Sequence, residues 1–328
     1  MFYFIANIHS RSGQSMKAWE KISHRLNERE VSAQIHMTRF AGHAVQLADQ
    51  LSDQAAADFD RCGLRSTIVA VGGDGTFNEV INGMHDFDKV NLAMIPLGSG
   101  NDLGRGLGIT NKDPLARLED ILTDCHDRER AAESESRVRR MDLGRVELDD
   151  GNSRLFAISC GMGFDAAVCR GVDHMYMKGI LNKLHLGRLS YLTKTLQTIL
   201  SMPLYRGRVS YRKEKGRSCL EVENMIFVAA MNQAAEGGGV PMYPGANAFD
   251  GKFGICLADS VPRLLALIML PGFLFRMHKI LPGVHQIETK SLQIHMEEAL
   301  PVHSDGEDLG MHRKIRITCL PGKLRIFI

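Results

Sequence analysis

Val69-Ala-Val-Gly-Gly-Asp-Gly-Thr-Phe-Asn-Glu-Val-Ile-Asn-Gly83 is the stretch that decides the fold. A buried-type strand, Thr67 to Val71, runs into Gly72-Gly73-Asp74-Gly75, a turn with almost no side-chain bulk. A helix then follows, with Thr76 and Glu79 at capping-box spacing and Phe77, Val80, Ile81 and Met84 as its apolar face. Such a strand, glycine turn and helix start presents bare backbone N–H groups and a positive dipole end to an anion, the usual way of holding phosphate. Asp74 adds a carboxylate, which an anion site alone does not need but a phosphate-bound Mg²⁺ would use.

A second turn of the same kind lies just downstream. The strand Leu92 to Ile95 stops at Pro96, and Leu97-Gly-Ser-Gly-Asn-Asp-Leu-Gly-Arg-Gly-Leu-Gly108 follows. Glycine is in excess here: nine of the chain's 32 fall between Gly72 and Gly108, where average usage of about 7% predicts roughly three. Two adjacent strands ending in such loops build a crevice at the carboxyl edge of a sheet, where open α/β folds bind ligands. Neither loop is a Walker A sequence, since no Gly-Lys-Ser/Thr occurs, and neither carries a convincing dinucleotide fingerprint.

Outward from these turns the pattern is of stacked βα units around a mainly parallel sheet. Phe2 to Ala6 and Ser32 to Thr38 read as strands, each followed by a helix, one with Trp19, Ile22 and Leu26 on one face, the next with Ala44, Leu47, Ala48 and Leu51. Between Asp124 and Arg140 the chain becomes mixed in charge, including Arg137-Val-Arg-Arg140, and reads as a solvated linker. Beyond it, short alternating runs such as Arg208–Arg212, Phe253–Leu257, Leu292–Met296 and Lys314–Thr318 mark a β-rich domain. Two helical insertions interrupt that domain, one with Leu189, Leu192, Leu196 and Ile199, the other starting at Val261-Pro262. The expected division is an α/β domain over 1–130, completed by 310–328, and a β-rich domain over 140–309.

Composition excludes several classes. With 40 Lys+Arg against 38 Asp+Glu the formal charge is +2, which offers no general field for nucleic acid. The 7 cysteines are scattered singly with no Cys-x-x-Cys, and read as reduced, mostly buried thiols. The 13 histidines show no metal-binding spacing, and His303 reads as an ordinary strand residue. The N-terminal apolar run is too short for a secretory signal, and the most apolar stretch, Leu264 to Leu270, is far short of the roughly 20 residues that span a bilayer.

Taken together, Gly72-Gly-Asp-Gly-Thr-Phe-Asn-Glu-Val-Ile-Asn-Gly83 and Pro96-Leu-Gly-Ser-Gly-Asn-Asp-Leu-Gly-Arg105 resemble the nucleotide site of the diacylglycerol kinase catalytic family, specifically the soluble bacterial lipid kinases. The first motif is shared with NAD kinases and 6-phosphofructokinases; the second narrows the match. The resemblance continues through Asn7, Ser10 and Gly13, Asp142-Leu-Gly144, Gly161-Met-Gly-Phe-Asp165, the Pro244 to Gly251 segment and Asp305-Gly-Glu307, so it covers essentially the whole chain in order. It departs from the family pattern at Ile8, where proline is usual, in a longer Ser10–Gly13 loop, and at Ser99 and Leu103-Gly104.

The resemblance implies an NAD kinase/phosphofructokinase-like α/β domain and a β-sandwich-like second domain, with ATP and Mg²⁺ as cofactors and a lipid hydroxyl, diacylglycerol-like, as acceptor. It implies ATP contacts at Asn7, Ser10, Gly13, Thr38, Gly72, Gly73, Asp74, Gly75, Thr76, Asn78, Ser99 and Asn101. Glu307 becomes the general base, and Asp74, Asp102 and Asp142 the acids around Mg²⁺–ATP or the attacking hydroxyl. Asn247, Asp250 and Lys252 resemble a structural Mg²⁺ segment, with the Asp250 carboxylate and two backbone carbonyls as ligands; Asp250-Gly251 alone equally suits a hairpin turn. A cytoplasmic enzyme peripheral to the inner membrane face follows, with Leu264 to Phe275 as a core helix or, alternatively, a bilayer-facing element. Rival readings are an NAD kinase-like small-molecule kinase and a non-catalytic nucleotide-binding regulator. The oligomeric state stays open, a homodimer included, and Gly237-Gly-Gly239 is left without a role.

Overall fold

The computed structural model describes residues 1–8, 14–109, 113–130, 137–173, 205–213, 216–261, 265, 272–273, 275–277 and 280–328. The chain divides into two compact units, Met1–Asp142 with Gly322–Ile328, and Leu143–Pro321.

In the first unit, β1 (Phe2–Ala6), α1 (Gln14–Glu28), β2 (Ala33–Met37), α2 (His43–Cys62), β3 (Thr67–Gly72), α3 (Asp74–Gly83) and β4 (Asn91–Pro96) alternate, followed by the short α4 (Asp102–Gly106) and α5 (Pro114–Arg130). The strands form a parallel ladder in the order β4-β3-β1-β2, with Phe2 opposite both Ala33 and Thr67, and Thr67 opposite Asn91. Parallel strands need helical crossovers that cover the sheet, so β3 and β4 are almost uninterrupted runs of buried residues. Phe4, Val69 and Ile95 pack with Trp19, Ile22, Leu26, Leu118 and Ile121 in the core beneath α1 and α5. The apolar face expected for α3, Phe77, Val80, Ile81 and Met84, is buried throughout.

The C-terminal end of the chain returns to this sheet, Ile326 pairing in parallel with Leu92. Arg117, fully buried, fastens it: Nε donates to the Met94 carbonyl at 3.1 Å and Nη2 to the Phe327 carbonyl at 2.7 Å. Burial lowers the pKa of that guanidinium to about 10. Only the last seven residues group with this unit; residues 310–321, expected with it, group with the second unit, where 310–318 pair with one of its strands. The Arg137–Arg140 cluster is solvated as expected, its three arginines being exposed, but it leads into a strand instead of forming a linker. Arg137 pairs with Asp120 at 2.9 Å and Arg140 with Asp88 at 2.8 Å, while Val138 opens β5 (Val138–Leu148).

The second unit is antiparallel, comprising the rest of β5, β6 (Ser153–Phe156), β7 (Ser159–Gly163), α6 (Phe164–Asp173), β8 (Tyr205–Lys213), β9 (Gly216–Met231), β10 (Phe253–Asp259), β11 (Val284–Thr289), β12 (Ser291–Ser304) and β13 (Glu307–Phe327), whose last residues return to the first unit. The long strands β9 and β12 both pair with β8 along their first halves and with β7 along their second. Phe156, Val209, Ile255, Ile294 and Ile317 lie in the core they enclose. The predicted insertion carrying Leu189 to Ile199 lies outside the described residues, as does most of the segment from Pro262 to Pro271. Of the cysteines described, Cys160, Cys256 and Cys319 are buried, Cys169 is half-buried, and Cys62 and Cys219 are exposed, so fewer are interior than expected.

Candidate functional site

In the first unit the two glycine turns meet backbone to backbone. A side chain on Gly73 would come to 3.0 Å from the Gly98 α-carbon, and one on Gly72 to 2.6 Å from Thr76 Oγ1. The Leu97 N–H donates to the Gly72 carbonyl at 2.7 Å, which locks the turns together. Gly73 caps α3 without a side-chain hydrogen bond. The Phe77 N–H is the first to bond back, to Gly73 at 3.1 Å, so the N–H groups ahead of it have no acceptor within the helix. Thr76 and Glu79 do not form the expected capping box. Glu79 instead accepts the Gly42 and Ala44 N–H groups at 3.0 and 3.1 Å, capping α2. Glu79 therefore plays no part in capping α3.

Asp74 binds the turns from the side: its carboxylate accepts the Asp102 N–H at 2.9 Å and the Leu103 N–H at 3.1 Å. The Asp102 carboxylate, nearly buried, pairs with Arg105. A Cβ built on Gly100 would lie 3.4 Å from an Asp74 oxygen and 3.6 Å from an Asp102 oxygen, so the two carboxylates converge where that residue has no side chain. Two carboxylates beside a glycine-lined helix start are hard oxygen donors of the kind that suit Mg²⁺ with phosphate.

Asn101 adopts a left-handed conformation, φ 50°, with Nδ2 donating to the Gly98 carbonyl at 2.9 Å, and its Oδ1 is buried without a partner. Ser99 is exposed at the loop tip. Asn7 donates to Thr76 Oγ1 at 3.2 Å, and Thr38 is buried with its N–H on the Ala6 carbonyl at 3.0 Å. Asn78 is fully buried and held by Asn82. Asp142 is buried and accepts the Gly322 N–H at 2.7 Å. Ser10 and Gly13 lie outside the described residues.

In the second unit Glu307 is exposed at the start of β13, immediately after the turn residues Asp305 and Gly306. Asp305 accepts N–H groups from Ala157, Ile158 and Ser159 at 2.9, 2.8 and 3.0 Å, which ties that turn to the entry of β7. Asn247–Lys252 forms a turn closed from within. Asn247 Oδ1 accepts the Phe249 N–H at 3.2 Å, Asp250 Oδ1 accepts the Lys252 N–H at 3.2 Å, and Lys252 Nζ pairs with Glu288.

A group missed by the sequence reading lies beside the Glu307 turn. Ligand-type atoms of Asp165, Glu236 and His303 all lie within 4.8 Å of one another. His303 Nε2 is 3.2 Å from Asp165 and 4.0 Å from Glu236, and Ser159 Oγ donates to Glu236. Gly161 leaves room for it, since a side chain there would overlap the Asp165 carboxylate. Gly237, Gly238 and Gly239 all have positive φ, at 59°, 85° and 99°, and their loop is closed by paired hydrogen bonds between Glu236 and Val240. That is the role of the glycine run: a reversal only glycine makes easily, returning the chain just after Glu236.

The Gly306 N–H donates to His303 Nδ1 at 3.2 Å, so the ring proton sits on Nε2, toward Asp165. Burial disfavours the imidazolium, while the Asp165 hydrogen bond and the carboxylate fields favour it. The Gly306 N–H opposes a second proton, and the neutral Nε2–H form matches all the contacts. A metal on Nε2 would need that nitrogen bare, so this trio, as wired, is a hydrogen-bonded network.

A doubly glycine-lined α3 terminus flanked by carboxylates, joined to an antiparallel β-rich unit, defines a kinase-type two-domain fold. Residues 1–133 match the model of the diacylglycerol kinase catalytic domain, and residues 158–328 that of the YegS C-terminal NAD kinase beta sandwich-like domain. The chain belongs to the diacylglycerol kinase catalytic-domain family, which makes it a kinase. It is 26% identical over 327 residues to the "Putative lipid kinase YtlR" of Bacillus subtilis (strain 168), covering 99% of this chain and 98% of that one. It is 27% identical to the diacylglycerol kinase of the same organism, covering 84% and 79%. The crystal structure of a "putative diacylglycerol kinase" from Bacillus anthracis str. Sterne superposes with TM-score 0.72 at 20% identity, covering 99% and 96%, which establishes the shared fold.

Proposed function

We propose that this chain transfers the γ-phosphoryl of Mg²⁺–ATP to the hydroxyl of a diacylglycerol-like lipid. The observation that carries the reading is the meeting of the two glycine turns at Gly73 and Gly98, with Asp74 and Asp102 converging beside Gly100. Backbone N–H groups at the α3 terminus would take phosphate oxygens, and Asn7, Ser10, Gly13, Thr38, Thr76, Asn78, Ser99 and Asn101 would complete the nucleotide contacts. Asp74, Asp102 and Asp142 are the acids that would hold Mg²⁺ or orient the hydroxyl, the metal neutralising charge between phosphates. A lipid hydroxyl is a weak nucleophile, so Glu307 serves as the base that accepts its proton. Asn247, Asp250 and Lys252 remain the proposed structural Mg²⁺ segment, with Lys252 Nζ turned to Glu288 and its carbonyl left to serve.

The acceptor class is supported by the relatives named as diacylglycerol kinases. Contact with the membrane surface is supported by the 272–283 segment. Phe275 and Ile280 are 75% and 70% exposed, and Met277 is 43% exposed. Residues 260–287 contain no Asp or Glu but carry Arg263, Arg276 and Lys279. Apolar side chains with cations and no acids suit an anionic bilayer interface. Among the described residues no helix is long and apolar enough to cross a membrane.

The test is incubation with γ-labelled ATP, Mg²⁺ and a panel of defined lipids plus NAD. Label on diacylglycerol supports the reading; label on NAD alone overturns it. Glu307→Gln should abolish transfer while ATP still binds, and near-normal turnover in that variant removes Glu307 as the base.

A further inference from the structure

The turn that carries Glu307 is fastened on two sides. Asp305 and Gly306 have φ of 51° and 87°, and Ser304 pairs directly with Glu307, which makes a two-residue Asp-Gly hairpin turn. On one side the Asp305 N–H donates to the Ser159 carbonyl at 2.8 Å while its carboxylate takes three N–H groups of residues 157–159. On the other side the Gly306 N–H donates to His303 Nδ1. His303 is itself 2% exposed and held at Nε2 by Asp165 of α6. Both ring nitrogens are used, one by a carboxylate and one by the residue preceding Glu307.

We propose that the Asp165–His303 pair is a positioning device for Glu307, with the imidazole as a strut between α6 and the backbone of the 304–307 turn. The inference rests on Glu307 being the base. The groups facing the imidazole are Asp165 from α6, Glu236 from the glycine loop and Asp305 from the turn.

Two amide substitutions separate the strut's ends. His303→Asn places an oxygen where Nδ1 was and retains an acceptor for Gly306; His303→Gln reaches Asp165 but leaves the Gly306 N–H unmet. With diacylglycerol in mixed micelles, His303→Gln should lower kcat by about tenfold or more, with the KM for ATP within about twofold, because a misplaced base costs turnover and leaves nucleotide binding intact. His303→Asn should recover most of that loss. Amide hydrogen exchange at Gly306 should quicken in His303→Gln and stay slow in His303→Asn. Unchanged Gly306 exchange or unchanged kcat in His303→Gln overturns the proposal, as does His303→Asn falling equally far. Near-normal activity in Glu307→Gln instead overturns the base assignment, and the exchange readout still reports separately on the fastening of the turn.

Discussion

Gly73 and Gly98 touch through their backbones: a Cβ on Gly98 would overlap the Gly73 α-carbon. The contact brings the ends of β3 and β4 together, and it depends on two residues having no side chain at all. Gly98→Ala should therefore separate the two turns. Overpacking of this kind costs about 1–3 kcal/mol, and ATP affinity should fall by roughly tenfold, the equivalent of about 1.4 kcal/mol. Thermal unfolding and nucleotide titration on the same variant check both; unchanged ATP affinity would show that the phosphate site does not depend on this contact.

Asp305 belongs to the same short motif as Glu307 but has a different role. Its carboxylate is occupied by three N–H groups, so Asp305→Ala leaves them without an acceptor. A single hydrogen bond to a charged group is worth about 1.5–3 kcal/mol, and the variant should lose at least one such increment. Urea unfolding should show a lower midpoint for Asp305→Ala and none for Glu307→Gln, whose loss falls on turnover.

His312 is wired oppositely to His303. Its Nδ1 faces Asp149 at 2.5 Å and its Nε2 the Leu309 carbonyl at 2.9 Å, so both nitrogens want a proton. Burial lowers its pKa, but Asp149 and Leu309 outweigh that and the net shift is upward. The folded pKa is above the unfolded value of about 6.5, so the stabilisation is complete below that pH and is lost as pH rises through the folded pKa. The stability gap between the parent and His312→Gln should narrow from pH 6 to alkaline pH. A gap that stays constant over that range would count against the charged form.

Phe275 and Ile280 project from a turn in which the Arg276 N–H bonds to the Phe273 carbonyl at 3.1 Å and the Met277 N–H to Gly272 at 2.8 Å. Phe273 is buried against Phe227, so it is a support and not part of the exposed surface. The double variant Phe275→Asp/Ile280→Asp should reduce co-sedimentation with anionic liposomes severalfold without altering the melting temperature. Retention equal to the parent would remove this turn from the membrane contact.

Local sequence determined a large part of this protein. The alternation of buried strands and amphipathic helices in the first unit, and the two glycine turns, are readable because their periodicity and backbone requirements are properties of neighbouring residues. The second unit's strands are readable for the same reason. Glu79 shows where local reading stops: its spacing from Thr76 satisfies a capping box, yet it caps α2, whose N–H groups are 35 and 37 positions away. Asp165 and His303, 138 positions apart, meet because α6 follows β7 and β7 pairs with β12, and nothing local to either residue announces it. Gly237–Gly239 acquires its purpose only from the closed loop that follows Glu236. Backbone geometry at a turn is set by the residues in it, so sequence decided the two glycine turns; partners for buried carboxylates and imidazoles are set by strand pairing across the chain, so tertiary structure alone decided what holds the Glu307 turn.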